Sequence, residues 1–156
     1  AKLLYDHKDL EFLLVGYTTL KGDNSVLEAR IRELNIQDKV KIIQDVSDKD
    51  LVRFYNLADV FIFPTLYEGF GLPPLEAMAQ GTPVVTSHVA SVPEVCGDAA
   101  EYANPRDADD IAEKVDRLLT REDLREEKIK AGLEQVELYT LKNYADATLK
   151  AYQRFT

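Results

Sequence analysis

Two carboxylates, Glu68 and Glu76, flank a Gly-Phe-Gly turn in the stretch PTLYEGFGLPPLEAMAQGTP, residues 64–83. The apolar run Val60 to Pro64 just before them is what a strand buried on both faces requires. Gly69 and Gly71 let the backbone turn tightly and approach a ligand without a Cβ in the way. Pro73 and Pro74 then open a helix, where a missing N–H does no harm. The amides of Gly69, Phe70, Gly71, Leu72 and Leu75 remain as donors, and free amides at a helix N-terminus favour an anion or a polar ligand. The stretch therefore offers carboxylates to a ligand's O–H groups and amides to its oxygens. A sugar or a ribose, with adjacent hydroxyls, suits both. Loops at the carboxyl ends of strands are also where open parallel sheets bind ligands.

Each carboxylate by itself has a plainer reading. Glu76 suits a first-turn acid that complements the helix dipole, and Glu68 suits a solvated loop charge. Taken with the glycines and the double proline, the two together favour a binding site.

The elements that must position this turn alternate strand and helix over the first two-thirds of the chain, which argues for a parallel sheet covered by helices on both faces. Residues 1–10 read as a helix end and a turn. Strands are expected at 12–16 (FLLVG), 40–43 (VKII), 60–64 and 83–86, with a short one in 100–105. Ser25 to Leu34 is expected to be a helix capped by Asn24, with Gln44 to Val46 in a loop after the second strand. Ser47 caps the next helix, whose apolar face is Leu51, Phe54, Tyr55 and Leu57. Ser91 and Glu94 match a capping box, with Pro93 in the first turn. Helices are expected over 107–119, over 120–137 with a Thr120 cap, and over 141–155 with a Thr140 cap. In the first of these Ile111, Val115, Leu118 and Leu119 face inward. The last carries Tyr144, Ala147, Leu149, Tyr152 and Phe155.

Composition narrows the function. A chain of 156 residues suits one domain, and 46% hydrophobic with 30% charged residues is ordinary for a globular protein. A net charge of −9, from 19 basic and 28 acidic residues, argues against nucleic acid as a partner. No apolar run reaches membrane-spanning length and the first residues lack signal-peptide character, so a cytoplasmic domain without membrane contact is expected. The single cysteine, Cys96, excludes an intrachain disulfide and reads as a buried structural thiol. Asp48-Lys49-Asp50 invites a metal reading, but helix capping explains it better. His88 reads as a lining residue on a strand-end loop.

The run EGFGLPPLEAMAQGTPVV, residues 68–85, resembles the donor-binding signature of GT-B-fold retaining glycosyltransferases of family 4, the "glycosyl transferases group 1" type. In that signature two glutamates flank a glycine-rich turn at this spacing. FLLVG, VKII with the following Val46-Ser47-Asp48, Tyr55 to Pro64, SVPEVCGDAA and Asn104-Pro105 also fall in the family's order. The resemblance implies an α/β, Rossmann-like parallel sheet with helices on both faces, residues 1–156 forming the carboxy-terminal, donor-binding domain. It implies that Glu68 is the catalytic-site carboxylate, on the donor sugar's hydroxyls, and that Glu76 binds ribose hydroxyls. Amides of Phe70, Gly71 and Leu72, beside Gly69, would contact sugar and phosphates. The loop around Val46 would contact the base, and Gly16 would leave room for the nucleotide. Gln44 stands where many relatives have glycine.

The implied activity is retaining, metal-independent transfer from a UDP- or GDP-hexose, without a cofactor. The resemblance also implies a further strand ahead of FLLVG, whose following loop brings an Arg and a Lys to the diphosphate, and an amino-terminal acceptor domain. The sequence begins after both. Preorganised cations are commonly a large term in such catalysis, so the isolated chain is expected to bind a donor without turning it over. In a strand order 3-2-1-4-5-6, loss of that strand leaves FLLVG and VFIFP each with an unpaired edge. The alternative is a non-catalytic glycosyltransferase-like interaction or regulatory module. A Rossmann oxidoreductase is disfavoured, because YTTLKGDNS follows FLLVG in place of Gly-x-Gly-x-x-G.

Overall fold

Five strands, each paired in parallel with its neighbours, form in a computed structural model that describes residues 1–16 and 24–154: β1 (Phe12–Val15), β2 (Val40–Ile43), β3 (Phe61–Phe63), β4 (Val84–Ser87) and β5 (Ala100–Ala103). They make two sheets, β1-β2 and β3-β4-β5. Two compact units, Ala1–Arg53 and Phe54–Thr156, contain them. The greater part of the loop YTTLKGDNS, residues 17–23, lies outside the described residues.

In the first unit β1 runs parallel to β2, with Phe12 opposite Val40 and Val15 opposite Ile43. Parallel strands need a crossover, and α2 (Ser25–Glu33) lies between them in the chain. Ahead of β1, α1 (Lys2–Asp6) buries Leu4, and the Tyr5 hydroxyl donates to the Leu34 carbonyl at 2.8 Å. The Asn24 side chain makes no cap bond, contrary to expectation. Its φ of −90° and ψ of 5° lie outside the extended conformation from which a cap side chain usually reaches the N2 or N3 amide.

The helix α3 (Asp48–Leu57) begins as expected. Ser47 Oγ accepts from the Asp50 amide at 3.2 Å and donates to Asp50 Oδ2 at 2.7 Å. Hydrogen bonds from Ser47 and then Arg53 hold the Asp50 carboxyl below the usual aspartate range. Among the described residues no three His, Cys, Asp or Glu side chains gather as a metal site. Leu57, expected to face inward, is 79% exposed. It lies two residues beyond buried Tyr55, and side chains that far apart do not share a helix face.

In the second unit β4 is central and buried at every position, pairing with β3 from Phe61–Val84 and with β5 from Val84–Ala100. The expected burial on both faces therefore holds for β4. It holds only in part for β1 and β3, which lie at sheet edges and are half-buried, Phe12 being exposed. Among the described residues each of these two strands pairs on one side only.

The helices of this unit are α4 (Leu72–Ala79), α5 (Val92–Cys96), α6 (Ala108–Thr120), α7 (Glu122–Val136) and α8 (Leu141–Gln153). Met78, Val84, Val85, Val92, Val95, Cys96, Val115 and Leu118 make its core. Burial pushes the free Cys96 thiol up to about 11. Buried Glu101 on β5 meets Arg117 of α6 at 3.0 Å and Lys128 of α7 at 3.7 Å, so a carboxylate that would be costly alone has two cations.

The caps divide. Asp107 accepts from the Asp109 and Asp110 amides, and Thr140 from the Asn143 amide, starting α6 and α8. Two expected caps do not form. Thr120 Oγ1 donates back to the Asp116 carbonyl, because α6 runs through Thr120 and only Arg121 separates it from α7. The Ser91 side chain makes no cap bond to α5, its hydroxyl being engaged elsewhere, and only the Ser91 carbonyl joins the helix, accepting from the Val95 amide at 3.0 Å. None of the α8 side chains is buried, and Phe155 lies outside the described residues. No helix among the described residues is long and apolar enough to cross a membrane.

Leu118, with no exposed surface, and Leu57 give a contrast. Leu118→Ala is expected to destabilise by about 2–5 kcal/mol through lost burial and a cavity. Leu57→Ala should stay within about 0.5 kcal/mol of wild type. Urea unfolding of the two variants checks the difference.

Candidate functional site

The turn between β3 and α4 is decided at Gly71. It sits at φ 111° and ψ 42°, is buried, and a Cβ there would lie 3.8 Å from Val95 Cγ1 and 3.9 Å from Val92 Cγ2. Space is therefore adequate and conformation is the constraint, since a left-handed residue other than glycine costs about 1–2 kcal/mol. Gly69 differs from the expectation that both glycines serve the turn. It is not among the left-handed residues, and a Cβ on it would meet nothing within 4 Å. What its small size leaves there is open space.

From this turn α4 starts with Leu72, followed by Pro73 and Pro74, and it carries Glu76 on its exposed side. The Tyr55 hydroxyl donates to Glu76 Oε2 at 3.1 Å. The buried Tyr55 ring packs edge-on against Phe61, centroids 5.1 Å apart. Burial first, then the charge and hydrogen bond of Glu76, push the Tyr55 phenol well above its usual range. It is a fixed donor at neutral pH. A carboxylate has several lone pairs, so Glu76 is oriented by one bond and retains others for a ligand.

Glu68 is half-buried, and its Oε1 accepts from the Gly69 amide at 3.1 Å. That amide, expected to be free, is thus already satisfied by the adjacent carboxylate. Before it, Thr65 Oγ1 donates to the Tyr67 carbonyl at 2.9 Å and steadies the loop leaving β3. The exposed Phe70 ring stands edge-on to Tyr139 at 5.8 Å, and Tyr139 in turn donates its hydroxyl to the Glu94 carbonyl at 3.1 Å. The Ser91 hydroxyl lies 3.0 Å from the Glu68 carbonyl oxygen and 2.9 Å from that of Phe70.

Glu68, Gly69, Phe70, Gly71, Leu72 and Glu76 all belong to the second unit; Gly16 and Val46 belong to the first. Gly16 follows β1 at φ 136°, and its amide donates to the Ile43 carbonyl at 3.1 Å. Val46 is half-buried in the loop after β2. In that loop the left-handed residue is Asp45, at φ 53°, so the glycine common at Gln44 is not demanded by a left-handed backbone there. Aspartate is one of the residues that tolerate this conformation. His88 is exposed and packs edge-on against Tyr102 at 5.2 Å.

Three residues around the turn escape sequence reasoning in their roles. Tyr55 reads from sequence as core face and Ser91 as a helix cap, while Tyr139 falls between the helices expected over 120–137 and 141–155. Their partners are distant in the chain, and no local pattern records such contacts.

Parallel strands, helices on both sides of them and a glycine turn leading into a helix define a Rossmann-like α/β protein of the GT-B type. Residues 1–135 match the family model "Glycosyl transferases group 1", and the chain belongs to that family. It is 38% identical over 141 residues to "O-antigen chain mannosyltransferase B" of Escherichia coli, covering 90% of this chain and 36% of that protein. It is 35% identical over 151 residues to "MMP alpha-(1->4)-mannosyltransferase" of Mycolicibacterium hassiacum, covering 94% and 36%. The chain thus spans little more than a third of the length of these relatives. Among solved structures, sucrose-phosphate synthase from Thermosynechococcus elongatus superposes with a TM-score of 0.80 at 28% identity, over 92% of this chain and 38% of that one.

Tyr55 sets a pH dependence. Its folded pKa is raised, so its contribution is fully present below about pH 10, where an unfolded tyrosine titrates, and is lost as pH rises further. Above about pH 10 the unfolded chain releases this proton first. Stability should therefore fall on the alkaline side, and fall less in Tyr55→Phe. At neutral pH the same variant should cost about 0.5–1.5 kcal/mol for the lost hydrogen bond. Urea midpoints measured across the alkaline range for both proteins check the slope and its sign.

Proposed function

We propose that this chain is the donor-binding half of a retaining, metal-independent hexosyltransferase that takes a UDP- or GDP-activated sugar. The observation that carries the reading is the pair of glutamates around left-handed Gly71, with Glu76 held by the buried Tyr55 hydroxyl. In this reading Glu76 accepts from the ribose hydroxyls and Glu68 from hydroxyls of the donor sugar. Amides of Phe70, Gly71 and Leu72 face the sugar and the diphosphate, where the dipole of α4 favours negative charge. The loop at Val46 meets the base, and Gly16 leaves it room. Glu68 has two roles to reconcile, since its carboxylate already accepts from Gly69. A bound sugar either shares that carboxylate or displaces the Gly69 amide from it.

The relatives reported above are named as mannosyltransferases, which supports a mannosyl donor as the first to try. The contribution of these residues is to bind and orient the donor and to stabilise charge developing on the departing diphosphate. Acceptor recognition is assigned to the amino-terminal domain that the family resemblance implies. A lone unpaired cysteine accords with a cytoplasmic setting.

Titration with GDP and UDP, followed by amide NMR shifts, tests the reading. One nucleotide should bind specifically, with a chelator making no difference. Glu76→Ala should lose at least about tenfold in affinity, the expected effect of a charge-assisted hydrogen bond worth about 1.5–3 kcal/mol. The same response in wild type and Glu76→Ala contradicts a donor site and leaves the interaction-module reading standing.

A further inference from the structure

Ser91 occupies the position before α5 from which a serine ordinarily caps a helix, yet its hydroxyl makes no bond to the α5 amides. It points instead at the Glu68–Gly71 turn, 3.0 Å from the Glu68 carbonyl oxygen and 2.9 Å from the Phe70 carbonyl oxygen. A serine hydroxyl has one proton to donate, so it serves both oxygens as a shared or alternating donor. These carbonyls belong to alternate peptide units, 68–69 and 70–71. In a trans peptide the N–H points opposite to the C=O. Turning both carbonyls toward Ser91 therefore turns the amides of Gly69 and Gly71 away from it, to the other side of the turn. Glu68 Oε1 receives the Gly69 amide, which places that carboxylate on the side the donors face.

The rest of the backing comes from the same segment. Val92 and Val95 pack beneath Gly71, and Tyr139, tied to the Glu94 carbonyl, stands against Phe70. Apolar contacts of this kind hold a turn in place but do not choose which way a peptide plane faces. A hydrogen-bond donor does.

We propose that Ser91 is a positioning residue: its hydroxyl sets the 68–69 and 70–71 peptide planes so that the Gly69 and Gly71 amides and the Glu68 carboxylate present one face to the sugar–diphosphate end of the donor. The proposal rests on the donor-site reading given above. It separates the two ends of the ligand, because Glu76 serves the ribose while Ser91 acts only on the turn.

The test compares wild type, Ser91→Ala, Ser91→Thr and Glu76→Ala in this chain. Two ligand pairs are used, GMP with GDP-mannose and UMP with UDP-glucose, and amide hydrogen exchange is followed at Gly69 and Gly71. Ser91→Ala should bind the monophosphate as wild type does and lose about tenfold for the nucleotide-sugar. Its Gly69 and Gly71 amides should exchange faster while Val95 and the β4 amides stay as protected as in wild type. Ser91→Thr, which keeps the hydroxyl, should restore both. Glu76→Ala should weaken monophosphate and nucleotide-sugar alike. Unchanged discrimination between the two ligands in Ser91→Ala overturns the proposal and leaves the donor site intact. Failure of wild type to bind either pair overturns the donor-site reading on which the proposal rests.

Discussion

The left-handed backbone at Gly71 is the constraint from which the rest of the candidate site follows. The chain must leave β3 and enter α4, and it does so through one residue whose φ of 111° an L side chain rarely adopts. With that reversal in place, Glu68 falls before the turn and Glu76 on the first turns of the helix. The amides between them lie where the α4 dipole begins. The turn is not free-standing: Val92 and Val95 lie beneath Gly71, and β4, buried at every position, lies beside β3. A local strain of about 1–2 kcal/mol for any other residue is small against a folded domain but large against the geometry of a binding turn.

Charge at the site is managed by local donors, since the chain carries a net charge of −9. Glu76 is exposed, yet its direction is fixed by a tyrosine whose ring is buried against Phe61. Glu68 takes its orientation from the neighbouring amide. Neither acid has a cation bound to it among the described ion pairs. Arg117 and Lys128 of this unit instead neutralise buried Glu101. The stretch 64–83 contains no lysine or arginine, so its positive potential comes from backbone amides and the α4 dipole.

Strands were legible in the sequence because short apolar runs bounded by turn residues leave few alternatives, and all five expected strands form within a residue or two of their predicted ends. The glutamate turn was legible because glycine, proline and acid stand within one local stretch. Caps were less so. Ser47, Thr140 and Asp107 serve as N-caps, but Asn24, Ser91 and Thr120 do not, though each is a good cap by residue type. A hydroxyl takes the best partner the fold offers, and for Ser91 that partner is 23 residues earlier in the chain. Leu57 shows the same limit for burial: helical spacing places it beside apolar neighbours in sequence while the fold buries the opposite side through Tyr55. Tyr55 itself was visible as a core residue, but its bond to Glu76 was not, because the contact joins two helices.

The most direct measurement is a crystal structure of this chain with a GDP- or UDP-hexose bound. The ribose hydroxyls should lie within hydrogen-bond reach, about 3 Å, of the Glu76 carboxylate. The hexose should lie against Glu68 and the Gly69–Gly71 amides, with Tyr55 still donating to Glu76. A nucleotide bound away from α4, or one whose ribose faces away from Glu76, would contradict the assignment of this turn as the donor site.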